Sequence, residues 1–376
     1  MDGERSDTDG ASTPVTKNRS WMASKKFAAL DGLRGLAALL VLTRHTEAYW
    51  SAPSLSHNHS YLAVDLFFAL SGFVISHAYA QQLREGRLSA GRFMLIRWIR
   101  LWPLHALGAA LGAAVVVTKD LYAPGAWVLP LVLMLLFLPS RMPDAGDGLF
   151  ELNPPGWSLF YEMAVNLLYA LTHRWLTNRV LVAVLGLIGA GLVAIGLYNG
   201  SLDIGFTWSM RSLGAGTLRA IFGIFLGIGL HRLYLARRHR PPRATPGPWA
   251  LCAAVTALLM VPRIEGLGST FDLLAVFVVF PVCVYFGAQV SVGASSVKLF
   301  ALLGLLSYPV YVLHMPLGNW LEGALAAPLA PYAPLAGLLF TAGLVGLAWA
   351  LDRGFDQPLR RLLTRATAAR TVSRPA

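Results

Sequence analysis

Apolar runs of 16 to 23 residues recur along this chain, parted by short polar stretches rich in Arg and Lys. A helix needs about 20 predominantly apolar residues to cross a bilayer, where every backbone polar group must be satisfied within the protein. With 56% hydrophobic and only 13% charged residues, the chain cannot close around one core in water. The pattern predicts an all-α fold, a polytopic membrane helical bundle. Candidate crossings are residues 27–49, 61–80, 97–118, 157–173, 179–198, 213–231, 248–263, 270–288, 299–320 and 333–352. An eleventh apolar run, 127–139, has about 13 residues and contains Pro130, so it is expected to be re-entrant or interfacial. The expectation is about ten transmembrane helices plus that one short segment.

The formal charge of +12 is distributed rather than gathered: 24 of the 31 Lys and Arg lie in 1–26, 81–100, 173–179, 231–243, 289–298 and 353–376. A nucleic-acid site would concentrate them on one surface, so no nucleic-acid partner is expected; between crossings they follow the positive-inside bias. Ten crossings put an even number between each consecutive pair of basic stretches, so all six share the cytoplasmic side. Counting 127–139 as a span would put 231–243 outside. The predicted organisation is a disordered cytoplasmic tail over 1–26, one membrane domain over 27–355 and a basic cytoplasmic C-terminal tail over 356–376. Both termini are then inside. Residues 1–24 lack the apolar core of a signal peptide. Cys252 and Cys283 fall singly in apolar segments, which predicts neither a disulfide framework nor a metal site.

Asp31, Arg34 and His45 interrupt the first apolar run. Charged side chains within hydrocarbon cost several kcal/mol and face a protein interior or a wet cavity by default. Eleven residues separate Arg34 from His45, which leaves them only about 20° apart around a helix and roughly 16 Å apart along it. One polar face therefore runs down this segment, with Arg34 near the inner leaflet and His45 in the outer half.

Topology also sets the depth of possible partners. Glu162 lies about 7 Å below the outer end of the helix that starts at Trp157. Ser307, Tyr311 and His314, spaced i, i+4 and i+7, form a stripe on an outward-running helix that carries His314 into the outer half. A neutral histidine can accept a proton from an attacking hydroxyl once its tautomer is fixed. Glu162, or Asp65 near the outer end of the second helix, is the expected orienting carboxylate. The bland alternative is a pair of packing histidines, but two His, a Glu and a Tyr at one depth favour chemistry.

Other polar residues are more ambiguous. Arg84, Arg87, Arg92, Arg97 and Arg100 stand on the cytoplasmic side of the third helix, where phosphate clamps and ordinary interface anchors look alike. Arg219, inside the seventh crossing counted with 127–139, needs a carboxylate partner such as Glu162. His57 and His59 are expected to be solvated loop residues, and Ser71-Gly72 to serve helix packing. Nucleotide P-loop, hydrolase-elbow and zincin motifs are absent from the sequence.

Together these residues resemble the acyltransferase-3 family of integral membrane O-acyltransferases. Five blocks carry the resemblance, in order across 27–355: Leu30-Asp31-Gly32-Leu33-Arg34-Gly35 with His45; Val64-Asp65-Leu66-Phe67-Phe68 through Ser71-Gly72-Phe73; Arg92-Phe93 with Arg97, Arg100 and Pro103; Trp157-Ser158-Leu159 with Glu162; and Ser307-Tyr308 with Tyr311 and His314. The resemblance implies transfer of an acyl group, commonly acetyl, from cytoplasmic acetyl-CoA to a hydroxyl on a glycan or glycoside. Acyl-CoA is then a co-substrate, with no permanently bound cofactor and no metal. His45 is the expected base, acting with Glu162, Arg34 and His314. Asp31, Arg97, Arg100, Asp65, Trp157, Ser158, Tyr311 and Arg219 are the expected residues binding substrate or CoA. The implied location is the bacterial plasma membrane. The competing class is a transporter or flippase of a glycan or lipid intermediate, against which the missing internal repeat counts.

Overall fold

A computed structural model describes residues 27–46, 58–238, 246–264 and 266–372. Among these residues every regular element is helical and none is a strand. Its elements are α1 (Ala28–His45), α2 (Ala63–Arg84), α3 (Ala90–Thr118), α4 (Val128–Leu135), α5 (Gly156–Thr172), α6 (Asn178–Asn199) and α7 (Met210–Arg237). There follow α8 (Pro248–Met260), α9 (Gly268–Leu274), α10 (Phe280–Gly287), α11 (Ala294–Leu329), α12 (Leu335–Leu351) and α13 (Gln357–Val372). π-helical turns at Ala275–Val279 and Asp352–Asp356 join α9 to α10 and α12 to α13.

Local sequence sets several of these boundaries. Ser89, Thr177 and Ser209 cap α3, α6 and α7, each accepting a hydrogen bond from the backbone N–H three residues on, which satisfies a donor that the helix itself cannot. Gly200 ends α6 at φ 72°, a left-handed conformation that suits glycine. Pro248 opens α8, where its missing N–H costs nothing.

Seven helical stretches are long and apolar enough to cross a membrane: Ser60–Arg84, Ala90–Thr118, Asn178–Asn199, Met210–Arg237, Gly268–Gly287, Ala294–Leu321 and Leu335–Thr367. Each coincides with an expected crossing. The other three expected crossings fall short of that standard. α1 has 18 residues but carries Asp31, Arg34 and Arg44, α5 has 17 residues, and α8 has 13. α4, within the apolar run 127–139, has eight residues. The protein is integral to a membrane, and its outer surface suits lipid: Leu187 and Val182 on α6 are 75% and 69% exposed.

Two close helix pairs organise the bundle, α1 along α11 and α2 along α7. In lipid the drive for helix association is van der Waals contact, which small residues permit. A Cβ on Gly72 would lie 2.0 Å from the Ile224 carbonyl oxygen, and one on Gly227 would lie 2.0 Å from that of Ala69. In the other pair, a Cβ on Gly35 would lie 2.3 Å from the Leu303 carbonyl oxygen, and one on Gly304 2.5 Å from the Asp31 Cβ. α3 packs across α5, α11 and α13. The space left between α1, α2, α3, α5, α11 and α13 is the candidate site.

Candidate active site

That space is a cavity of about 1140 Å³, just above the usual range for ligand pockets, roughly 300–1,000 Å³. Its lining follows α11 from Lys298 to Tyr311, a rise of about 20 Å along the helix. The Lys298 end is strongly basic, with Arg100 from α3 and several arginines from the turn and helix that follow α12. At the other end Ser158 and Tyr311 meet through their hydroxyls at 2.8 Å.

The walls between are held by charged pairs. Arg34 is fixed in three directions: its Nε donates to Ser307 Oγ at 2.9 Å, and its Nη2 donates to Asp31 Oδ1 at 3.0 Å and to the Gly304 carbonyl at 2.9 Å. Across the cavity Arg97 donates to Glu162 at 2.5 Å, and Ser71 Oγ donates to the same carboxylate at 2.6 Å. Both arginines thus stand in the cavity wall with their charges already answered, while Arg100 is exposed and makes no ion pair among the described residues.

His45 and His314 meet one helical turn beyond Tyr311, with His314 Nε2 3.3 Å from His45 Nδ1. Their bonding fixes both neutral tautomers. His314 Nδ1 faces the carbonyls of Tyr311 at 2.7 Å and Val310 at 3.2 Å. Carbonyls only accept, so this nitrogen carries the hydrogen and Nε2 presents a lone pair. His45 Nδ1 lies between that lone pair and the Val41 carbonyl at 3.0 Å, so it must be the donor. His45 Nε2 is left as a basic nitrogen, on a side chain that is exposed although His314 is buried.

The structure brings together Asp31, Arg34, Arg97, Arg100, Ser158, Glu162 and Tyr311 around one cavity. His45 and His314 are not among its lining residues. Three sequence-based pairings need correction. Glu162 does not orient His45; it is claimed by Arg97 and Ser71 on the cavity wall. Asp65 does not orient His45 either, and Arg219 does not pair with Glu162. These two residues bind each other, Nε to Oδ1 at 3.0 Å and Nη2 to Oδ2 at 2.7 Å, with 1% and 2% of the side chains exposed. Trp157 lies behind this pair, its ring 5.3 Å from the Arg219 guanidinium, so Asp65, Arg219 and Trp157 support the site without lining it. The expected match in depth fails: Glu162 lies one turn from Ser158, which meets Tyr311, while His45 and His314 lie one turn from Tyr311 in the opposite direction.

His59 also departs from expectation. It is 1% exposed, its Nδ1 is 2.9 Å from the Val261 carbonyl and its ring lies 4.1 Å from that of Phe271. The loop that holds it folds inward because Asn58 pairs with Pro262; His57 lies outside the described residues. Cys252 and Cys283 are free and buried.

Sequence reading missed Ser71 as a cavity group, and it missed Lys298, Arg353, Arg360, Arg361 and Arg365. The signal for the last three was present: Gln357, Arg360, Arg361, Thr364 and Arg365 fall at i, i+3, i+4, i+7 and i+8, one face of a helix.

A bundle of lipid-facing helices around a polar cavity that ends near a histidine pair is the architecture of a membrane-embedded enzyme. The chain belongs to the acyltransferase-3 family, whose acyltransferase-domain model matches residues 27–353. It is therefore a membrane acyltransferase, and not an aminoacyl transferase, that takes an acyl group from a donor to a hydroxyl acceptor. A relative from Rhizobium radiobacter, described as protein 2 in the picA locus, is 43% identical over 164 residues, which span 40% of this chain and 83% of that protein. No solved structure matches the chain.

Proposed function

We propose that this acyltransferase is an O-acetyltransferase of the bacterial plasma membrane, taking acetyl from cytoplasmic acetyl-CoA to a hydroxyl of a glycan or glycoside on the opposite side. The observation that carries this reading is the cavity itself. It is basic at one end, where a nucleotide would enter, and it runs past Arg34 and Glu162 to Ser158 and Tyr311, one helical turn from the His45–His314 pair. Both termini are cytoplasmic in this reading, which puts the basic end inside and His45 towards the acceptor.

In the reaction, His45 Nε2 takes the proton of the acceptor hydroxyl as its oxygen attacks the thioester carbonyl. The carbon–sulfur bond then breaks, the new ester leaves with the acceptor, and the CoA thiolate takes up the proton released from His45. His314 does not touch substrate. It positions His45 by accepting from Nδ1–H, the part that a carboxylate plays in a serine hydrolase. Arg34 and Arg97, already neutralised by Asp31 and Glu162, shape the passage for the acyl-bearing arm.

The test uses the purified full chain in lipid nanodiscs with acetyl-CoA and a panel of polysaccharides and glycosides. Acceptor-dependent thiol release, matched by an acetyl mass increment on the acceptor, is expected. A chain that moves a glycan across vesicle membranes and releases no thiol with any acceptor overturns the reading and leaves a transporter.

A further inference from the structure

We infer that α13, which lies beyond the span matched by the family, is a phosphate clamp for the nucleotide end of CoA. The inference rests on the donor reading above. Eight Arg and Lys side chains and four carboxylates line the cavity, a surplus of four positive charges. Arg34 and Arg97 each answer one carboxylate, and Arg360 reaches both Asp352 and Asp356. The surplus therefore sits wholly at the basic end, on Arg100, Lys298, Arg353, Arg361 and Arg365, which form no ion pair among the described residues.

Coenzyme A carries a pyrophosphate and a 3′-phosphate, about four negative charges near neutral pH, and the surplus matches it. Arg361 and Arg365 are one turn apart on the exposed face of α13, with Gln357 and Thr364 beside them on the cavity wall. Guanidinium groups so spaced suit bidentate contacts to phosphate oxygens. Lys298 of α11 and Arg100 of α3 line the same cavity, so its cations come from three helices. Arg360 has a different task. Its bonds to Asp352 and Asp356 tie the first turn of α13 to the π-helical turn and hold the helix with Arg361 and Arg365 against the opening.

Binding of CoA and of dephospho-CoA is to be measured by titration calorimetry on the full chain in phosphatidylcholine nanodiscs, for wild type, R361Q/R365Q and the control R211Q. R361Q/R365Q is expected to bind CoA at least about tenfold more weakly than wild type, and R211Q to match wild type. Wild type is expected to bind dephospho-CoA more weakly than CoA, and R361Q/R365Q to narrow that difference. CoA binding by R361Q/R365Q within twofold of wild type overturns the clamp and leaves the donor reading standing. The clamp also falls if R361Q/R365Q loses only an affinity for phosphatidylglycerol vesicles, since α13 would then be answering lipid headgroups. No CoA binding by wild type removes the donor reading and the clamp with it.

Discussion

Asp65 and Arg219 offer the sharpest separation of structural from chemical charge. Their side chains are 2% and 1% exposed and share two hydrogen bonds, while Arg219 also donates to the Ile204 carbonyl at 2.6 Å. Replacing Asp65 with Asn keeps the shape but strands a guanidinium in a low-dielectric interior, and breaking a buried pair in this way costs about 3–5 kcal/mol. D65N should therefore unfold in detergent at an apparent Tm lower by about 5 °C or more. Replacing both residues with apolar side chains of similar volume, D65L/R219M, removes both charges and should recover much of the loss, because such exchanges are often neutral. It would still leave the Ile204 carbonyl without its donor, at about 1–3 kcal/mol, so recovery should be partial. The assay is size-exclusion chromatography after a temperature series, with thiol release from acetyl-CoA measured on the same samples. A D65N protein as stable as wild type refutes the reasoning. So does a D65L/R219M protein that is stable yet inactive, because the pair would then have a direct part in transfer.

Replacing His45 with Ala should abolish acyl transfer while the protein still elutes as a folded species; full activity would remove His45 from the chemistry. His314→Ala should lower kcat by about 10²-fold with little change in KM, and His314→Gln, whose carbonyl can accept from His45 Nδ1, should restore part of it. Arg97→Gln should destabilise the protein more than Arg100→Gln, since only Arg97 leaves a carboxylate, Glu162, without its cation; comparison of apparent Tm values checks this. Gly72→Leu should separate α2 from α7 and lower the yield of folded protein, because even its Cβ would sit 2.0 Å from a backbone oxygen.

Much of this architecture is written in the order of apolar runs. Seven of them become helices fit to span, and Trp127–Pro139 contains only a short helix, because hydrocarbon thickness imposes a length that composition can meet or miss. The polar face of α1 is equally legible: Arg34 and His45 both meet α11, at Ser307 and His314. What the sequence does not carry is azimuth between helices far apart in the chain. Nor does it carry how far one helix is shifted along another: Glu162 stands a turn to one side of the Ser158–Tyr311 contact and His45 a turn to the other, so Glu162 meets Arg97 instead. Arg219 needed a carboxylate, and nothing in local spacing distinguishes Asp65 from Glu162 as its source. Arg361 and Arg365 read as part of a basic tail because apolar periodicity stops near Leu351, although the helix does not.

The π-helical turn at Asp352–Asp356 amounts to one residue inserted into an α-helix. Its consequence is a matter of phase. Removing a residue from the turn itself, such as Gly354, would let it close to an ordinary α-turn with the phase downstream nearly kept. Removing one from the regular helix beyond it, such as Leu359, would turn everything downstream by about 100° and draw it in by about 1.5 Å, carrying Arg361 and Arg365 off the opening while the span above stayed seated. The membrane helix and the charged helix below it are thus separately indexed, and a deletion that alters no charge at all would be enough to misalign them.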